Sequence, residues 1–132
     1  MMSPITTELT VLGYSFILFL AHMMVQASTA LKDQGAAFNA GPRDEPPPLG
    51  AVAGRAQRTF NNFKESYPIF IALALGLAIT GRSGGMAATG AWIWLAARIA
   101  YIPLYLLGVP YLRSLAFGIS AAGLVMMATR LF

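Results

Sequence analysis

The chain has 132 residues, 57% hydrophobic and only 11% charged, with one histidine, no cysteine and a formal net charge of +4. A soluble domain carries about 25% charged residues, so this deficit, with a mean hydropathy of +0.63, predicts an integral membrane protein. The composition excludes disulfides, thiolate metal sites and a cysteine nucleophile, its single histidine, His22, cannot form a metal site alone, and it gives no nucleic-acid signal because the basic residues are scattered without aromatic interleaving.

Four apolar runs, at about 9–31, 53–80, 86–107 and 112–131, reach the length needed to span a bilayer. They predict an all-α bundle of four transmembrane helices forming a single domain over residues 1–132. The first run has no basic segment before it, is too long for a signal peptide and is followed by no small-residue cleavage site, so it is expected to be retained. It carries His22 and Gln26 at i, i+4, a spacing suited to hydrogen bonding between helices.

The connector over 32–54 contains Gly41-Pro42-Arg43-Asp44-Glu45-Pro46-Pro47-Pro48. This stretch is too proline-rich for a helix and suits a partly polyproline-like path. Two readings stand for it: a stiff tether, or a lid that holds Arg43, Asp44 and Glu45 near the next helix.

The second run begins at a polar mouth with Arg55, Arg58, Asn62, Lys64 and Glu65. Placing charge at mid-bilayer costs roughly 2.5 to 3.5 kcal/mol per residue on insertion scales, which makes ionisable residues there functional candidates. At 100° per residue, Arg55, Arg58, Asn62 and Glu65 fall at about 0°, −60°, −20° and −80°, a single stripe about 80° wide. One helix face is therefore suited to a charged ligand rich in hydrogen-bonding groups.

Gly81-Arg82-Ser83-Gly84-Gly85 marks a tight turn into the third run. There Arg98, Tyr101 and Tyr105 lie at i, i+3 and i+7, within about 60° on one face. Pro103 between the tyrosines removes a backbone hydrogen bond and predicts a kink. The tyrosines suit either an interfacial aromatic belt or a polar site shared with Arg98. Glu65, the one acid read as lying inside an apolar span, is the expected partner of Arg98, either for mutual neutralisation or as a pair that also orients a ligand amine.

Gly108-Val109-Pro110 separates the third run from the fourth, which opens with Arg113 and Ser114. Arg113 either snorkels to the headgroups or points inward at the level of Tyr105 and Arg58, where it would favour an anion such as a thiolate. Gly76, Gly90, Ala96, Ala97, Gly118, Ala121, Ala122 and Gly123 predict close helix packing. Lys32, Arg43, Arg55, Arg58, Lys64 and Arg113 cluster towards one membrane side, against Arg82 and Arg130 on the other. The positive-inside rule then places both termini away from the cytoplasm and opens the polar stripe towards it.

The motif Arg55-x-x-Arg58-x-x-x-Asn62-x-x-Glu65-x-x-Pro68, with Arg98-x-x-Tyr101-x-x-x-Tyr105 and an arginine opening the fourth helix, resembles the MAPEG family, the membrane-associated proteins in eicosanoid and glutathione metabolism. The resemblance covers the four-helix layout of the whole chain, and the Arg-Asp-Glu-Pro-Pro loop is similar to that of bacterial members. It implies a homotrimer in a bacterial inner membrane, with glutathione bound between neighbouring subunits near the cytoplasmic side. The family's glutathione contacts match Arg58, Asn62, Glu65, Tyr101 and Tyr105, and Arg55 joins them on the same stripe. Arg113 is implied as a glutathione contact that stabilises the thiolate, with Tyr105 as a second donor to the sulfur. Phe117 stands where some members have tyrosine, and the Tyr105 to Arg113 spacing lies between those of two branches.

The implied function is a glutathione-dependent transferase or peroxidase, with glutathione as co-substrate, no metal, and a lipophilic electrophile arriving from the bilayer. A lipid-binding scaffold of the same fold is the alternative, though it has no need of the full Arg-Asn-Glu set. A small four-helix exporter would need a proton-coupling acid within the first helix, and Glu8 at its very start is the one acid there.

Overall fold

The computed structural model describes residues 5–132, and among these residues the fold is entirely helical. The elements are α1 (Thr7–Gln34), α2 (Ala36–Ala40), α3 (Ala51–Thr80), α4 (Met86–Leu106) and α5 (Pro110–Ala128), followed by a 3₁₀ turn at Thr129–Leu131. Four helices are long and apolar enough to cross a membrane.

Local chemistry sets the boundaries. The Thr6 hydroxyl accepts the Leu9 N–H at 3.2 Å and caps α1. Gly35, at φ +87°, ends that helix. The short α2 follows directly, an element absent from the sequence reading. The connector is then pinned back onto the end of α1: Gln34 Nε2 donates to the Pro47 carbonyl at 2.8 Å, and the Gly50 N–H donates to Asp33 Oδ2 at 2.7 Å. Because Asp33 holds the residue just before α3, the end of the first membrane helix fixes the start of the next. Arg43 folds onto the Asn39 carbonyl at 2.9–3.0 Å rather than onto the polar stripe.

Gly81, in the left-handed conformation, closes α3, with Arg82 N–H bonded to the Leu77 carbonyl at 2.9 Å. Gly108 at φ +73° follows the end of α4, and Pro110 opens α5 at the first helical position, where its missing N–H costs nothing. These short turns make α3, α4 and α5 successive antiparallel neighbours.

The core is an aromatic column. Phe63, Tyr67, Phe70, Ala74 and Leu77 line the buried face of α3 at helical spacing. Trp94 of α4 stacks on Phe70 with centroids 3.9 Å apart and rings 6° from parallel. Phe19 of α1 packs on Phe60, Phe63 and Tyr67. The Tyr67 hydroxyl shares a 2.7 Å hydrogen bond with Ser15 Oγ, which satisfies that phenol within the bundle, while Trp94 Nε1 has no hydrogen-bond partner among the described residues. The buried face of α4 runs Ala87, Ala91, Trp94, Arg98 and Tyr101, so Arg98 continues an apolar row and is buried by it.

Helices α4 and α5 approach most closely at two glycines. A Cβ on Gly123 would lie 2.5 Å from the Gly90 carbonyl oxygen and 2.9 Å from the Trp94 nitrogen, both backbone atoms unable to give way. At Gly118, one and a half turns earlier on α5, a Cβ would meet nothing within 4 Å. Gly123→Ala should therefore cost about 1–3 kcal/mol through overpacking. Gly118→Ala should be neutral or slightly stabilising through helix propensity. Thermal unfolding of the two variants in the same detergent checks this ranking.

Candidate functional site

The polar stripe of α3 lies about 100° round the helix from the Phe63 column, on the flank where α4 and the start of α5 approach. Along it, Asn62 and Arg55 are half-buried, while Arg58 and Glu65 are exposed. On α4 the corresponding side chains are Arg98 and Tyr101, both buried, and the half-buried Tyr105. Arg113, also half-buried, comes from the first turn of α5.

Tyr105 joins two arginines. Its hydroxyl accepts a hydrogen bond from Arg58 Nε at 3.1 Å, and the Arg113 guanidinium lies over its ring, 4.6 Å from the centroid. A phenol that accepts from a guanidinium keeps its own O–H proton for another acceptor, because arginine offers donors only. Arg113 is thus turned onto the Tyr105 ring. Tyr101, Arg113, Ser114 and Phe117 line a cavity of about 230 Å³ beside this pair. The Tyr101 and Tyr105 rings are 5.5 Å apart, so this cavity and the Tyr105 stack are contiguous.

Arg98 lies two turns of α4 from Tyr105 and one from Tyr101. Its Nη1 donates to Asn62 Oδ1 at 2.7 Å, and its guanidinium lies 4.6 Å from the Tyr101 ring and 5.6 Å from the Phe63 ring. Among the described residues, Arg98 Nε and Nη2 have no hydrogen-bond partner. The partner of Arg98 is therefore an amide and two aromatic faces rather than the Glu65 carboxylate. Glu65 is exposed on the outer edge of the stripe, and burial of Arg98 under α3 keeps the two apart. Tyr101 is likewise a packing partner of the cation rather than part of an interfacial belt.

Arg55 takes a different place from the rest of the stripe. Its Nη1 donates to the Leu106 carbonyl at 3.3 Å, at the C-terminal end of α4, and its guanidinium fills the space a Cβ on Gly108 would need. A cation at a helix C-terminus complements the carbonyl dipoles there. Arg55 thereby ties the α4–α5 turn to α3. His22 also departs from expectation: its ring stacks on Phe63 at 4.7 Å and Phe60 at 5.7 Å, and its Nε2 has no hydrogen-bond partner among the described residues.

Sequence spacing indicated the stripe and the Arg98–Tyr101–Tyr105 row but missed the Asn62–Arg98 bond, the shared use of Tyr105 and the role of Phe63. The aromatic spacing at Phe63, Tyr67 and Phe70 was the available signal for the last of these. Because Tyr105 offers its hydroxyl to one arginine and its ring to another, Tyr105→Phe should cost the unliganded protein less than about 1 kcal/mol, the worth of a part-exposed hydrogen bond. Tyr105→Leu should cost about 1 kcal/mol more, by also removing the cation–π contact. Denaturation of both variants in detergent separates the two contributions.

The described residues hold no group of three metal-ligating side chains. No curated protein and no solved structure matches the chain. The MAPEG family profile matches residues 9–132. That match spans the four membrane-length helices together with the arginine–tyrosine site, and the chain belongs to the MAPEG family of integral membrane proteins.

Proposed function

We propose that the protein is a glutathione-dependent transferase or peroxidase acting on a lipophilic electrophile, working as one domain over residues 1–132. The observation that carries this reading is the placement of Arg58 and Arg113 on opposite features of Tyr105, beside a cavity lined by Tyr101, Arg113, Ser114 and Phe117. Membership of a family associated with glutathione supports it.

The donor set suits the tripeptide. Glutathione carries two carboxylates and one ammonium, and arginine binds carboxylates through paired N–H donors. In this reading Arg58 takes a carboxylate, Asn62 a carboxylate or peptide oxygen, and the exposed Glu65 the α-ammonium. Arg55 supports the site from the α4–α5 turn, and Tyr101 forms a wall of the cavity. A free thiol with a pKa of about 8.5 is mostly protonated at neutral pH, and a cation at contact distance favours the thiolate by about one to three units. Arg113 supplies that cation and cannot lose its charge as a lysine could. The Tyr105 O–H, left free by the Arg58 bond, donates to the sulfur. With a carbon electrophile such as an aryl halide, which reaches the cavity from the bilayer, the thiolate forms a C–S bond and the halide leaves with its bonding pair. With a hydroperoxide the sulfur takes the terminal oxygen as the O–O bond breaks, the released alkoxide is protonated to the alcohol, and the sulfenic acid condenses with a second glutathione to give the disulfide and water.

The exposed charges of the α3 stripe make a lone subunit costly in lipid. A homotrimer that buries the stripe between neighbours removes that cost and places Glu65 at the shared boundary. The loop end then faces the cytoplasm of a bacterial inner membrane, with both termini opposite, following the distribution of Lys and Arg.

Purified protein should turn over a generic aryl halide or a lipid hydroperoxide in a glutathione-dependent manner. Arg113→Ala should lower kcat about tenfold or more, leave glutathione affinity within a few-fold, and reduce the thiolate absorbance of bound glutathione. Unchanged thiolate formation would move the activating role to Tyr105 or Tyr101. Glu65→Gln should weaken glutathione binding about tenfold or more by leaving the ammonium unpaired, as read by calorimetry. Glutathione binding without turnover of either substrate would favour the lipid-binding scaffold. Cross-linking in mild detergent should give trimers, and a uniformly monomeric product would remove the shared site.

A further inference from the structure

Arg98 is fully buried, at 0% exposure, so no ligand touches it in this geometry. Asn62 lies between it and the outside: half-buried on the stripe of Arg58 and Glu65, it accepts from Arg98 Nη1 at 2.7 Å. An asparagine amide presents nearly identical shapes with its oxygen or its nitrogen forward, and the choice decides whether it offers acceptors or donors. Arginine has donors only, so the group facing Arg98 must be Oδ1. The other Arg98 nitrogens, Nε and Nη2, have no partner among the described residues. Turning Asn62 round would therefore strip the guanidinium of the one hydrogen bond it makes among the described residues. The surrounding faces of Tyr101 and Phe63, at 4.6 Å and 5.6 Å, offer no acceptor of comparable strength.

We propose that Arg98 is a positioning residue for ligand binding: by holding Asn62 Oδ1 it directs the Asn62 Nδ2 donors towards the ligand, and they take a carboxylate or peptide carbonyl oxygen. This rests on the glutathione reading above and deepens it, because it assigns Asn62 the role of donor and forbids it as an acceptor for the ligand's ammonium. The stripe then divides its work, with Arg58 and Asn62 for ligand oxygens and Glu65 for the ligand's cation. Arg98 acts on the ligand only through Asn62.

Two sets of variants of the full chain, purified in mild detergent, test this. Glutathione affinity is measured by calorimetry for wild type, Asn62→Ala, Arg98→Met and the double variant. Methionine fills a similar volume, and replacing a buried charge by an apolar side chain commonly preserves the fold. Asn62→Ala should weaken binding about tenfold and Arg98→Met about fivefold, with the double variant no weaker than Asn62→Ala alone, since residues acting through one contact are not additive. Additive losses, or no loss in Arg98→Met, would overturn the proposal.

Asn62→Asp supplies the second set, because a carboxylate satisfies Arg98 better than an amide but has no donor for the ligand. Its melting temperature should rise by about 3 °C or more, and the gain should vanish when Arg98→Met is added. Its glutathione affinity should fall about tenfold or more. A purely structural role for Asn62 predicts the same thermal gain with unchanged affinity, which would refute the proposal. Absence of the thermal gain would show that Arg98 does not hold Asn62. Wild-type protein without affinity for glutathione would instead sink the functional reading, and the thermal comparison would still report on the Arg98–Asn62 contact by itself.

Discussion

A guanidinium enclosed by helices in an apolar bundle must find compensation inside the protein, because neither water nor lipid headgroups reach it. Arg98 finds it in the Asn62 amide and in the faces of Tyr101 and Phe63. Those three residues fix the relation of α3 to α4 at this depth. Phe63 in turn belongs to the aromatic column with Tyr67, Trp94 and His22, so the buried cation and the core of the bundle share one side chain. Moving α3 along α4 by a turn would break the stacking and uncover the charge together.

The rest of the site is layered outward from that point. Asn62 is half-buried, Tyr105 stands one turn nearer the loop end, and Arg58 and Arg113 close on Tyr105 from two helices. Arg55 holds the α4–α5 turn against α3 through the Leu106 carbonyl. Burial thus falls steadily from Arg98 to Arg58. On the proposed reading, the same gradient separates side chains that organise the site from those that would meet a ligand.

Two glycines determine how near α5 can come. With Gly90 facing Gly123, the backbones of α4 and α5 approach to a distance that a single methyl group would prevent. This close approach also brings the first turn of α5, with Arg113 and Ser114, over the tyrosines of α4. In a membrane, where apolar surfaces gain little by leaving lipid, such contact between small residues is a main source of helix association. The electrostatics of the site therefore depend on packing about four turns away along α4 and about three along α5.

Much of this was legible in the sequence. Apolar length specified four membrane helices because a bilayer imposes one dimension on every span. Helical periodicity placed Arg55, Arg58, Asn62 and Glu65 on one face, and Arg98, Tyr101 and Tyr105 on another, because angular position around a helix depends only on residue number. The family resemblance rested on the same spacing and is matched over residues 9–132. What periodicity cannot convey is the rotation and depth of one helix against its neighbour. Charge counting therefore paired Arg98 with Glu65, the acid available, whereas the fold buries Arg98 under α3, leaves Glu65 at the surface and gives the bond to Asn62. The direction of Arg113, the use of Arg55 at the end of α4 and the stacking of His22 were open for the same reason. Each depends on which faces meet, and that is decided by the aromatic column and the Gly90–Gly123 contact, interactions between residues distant in the chain.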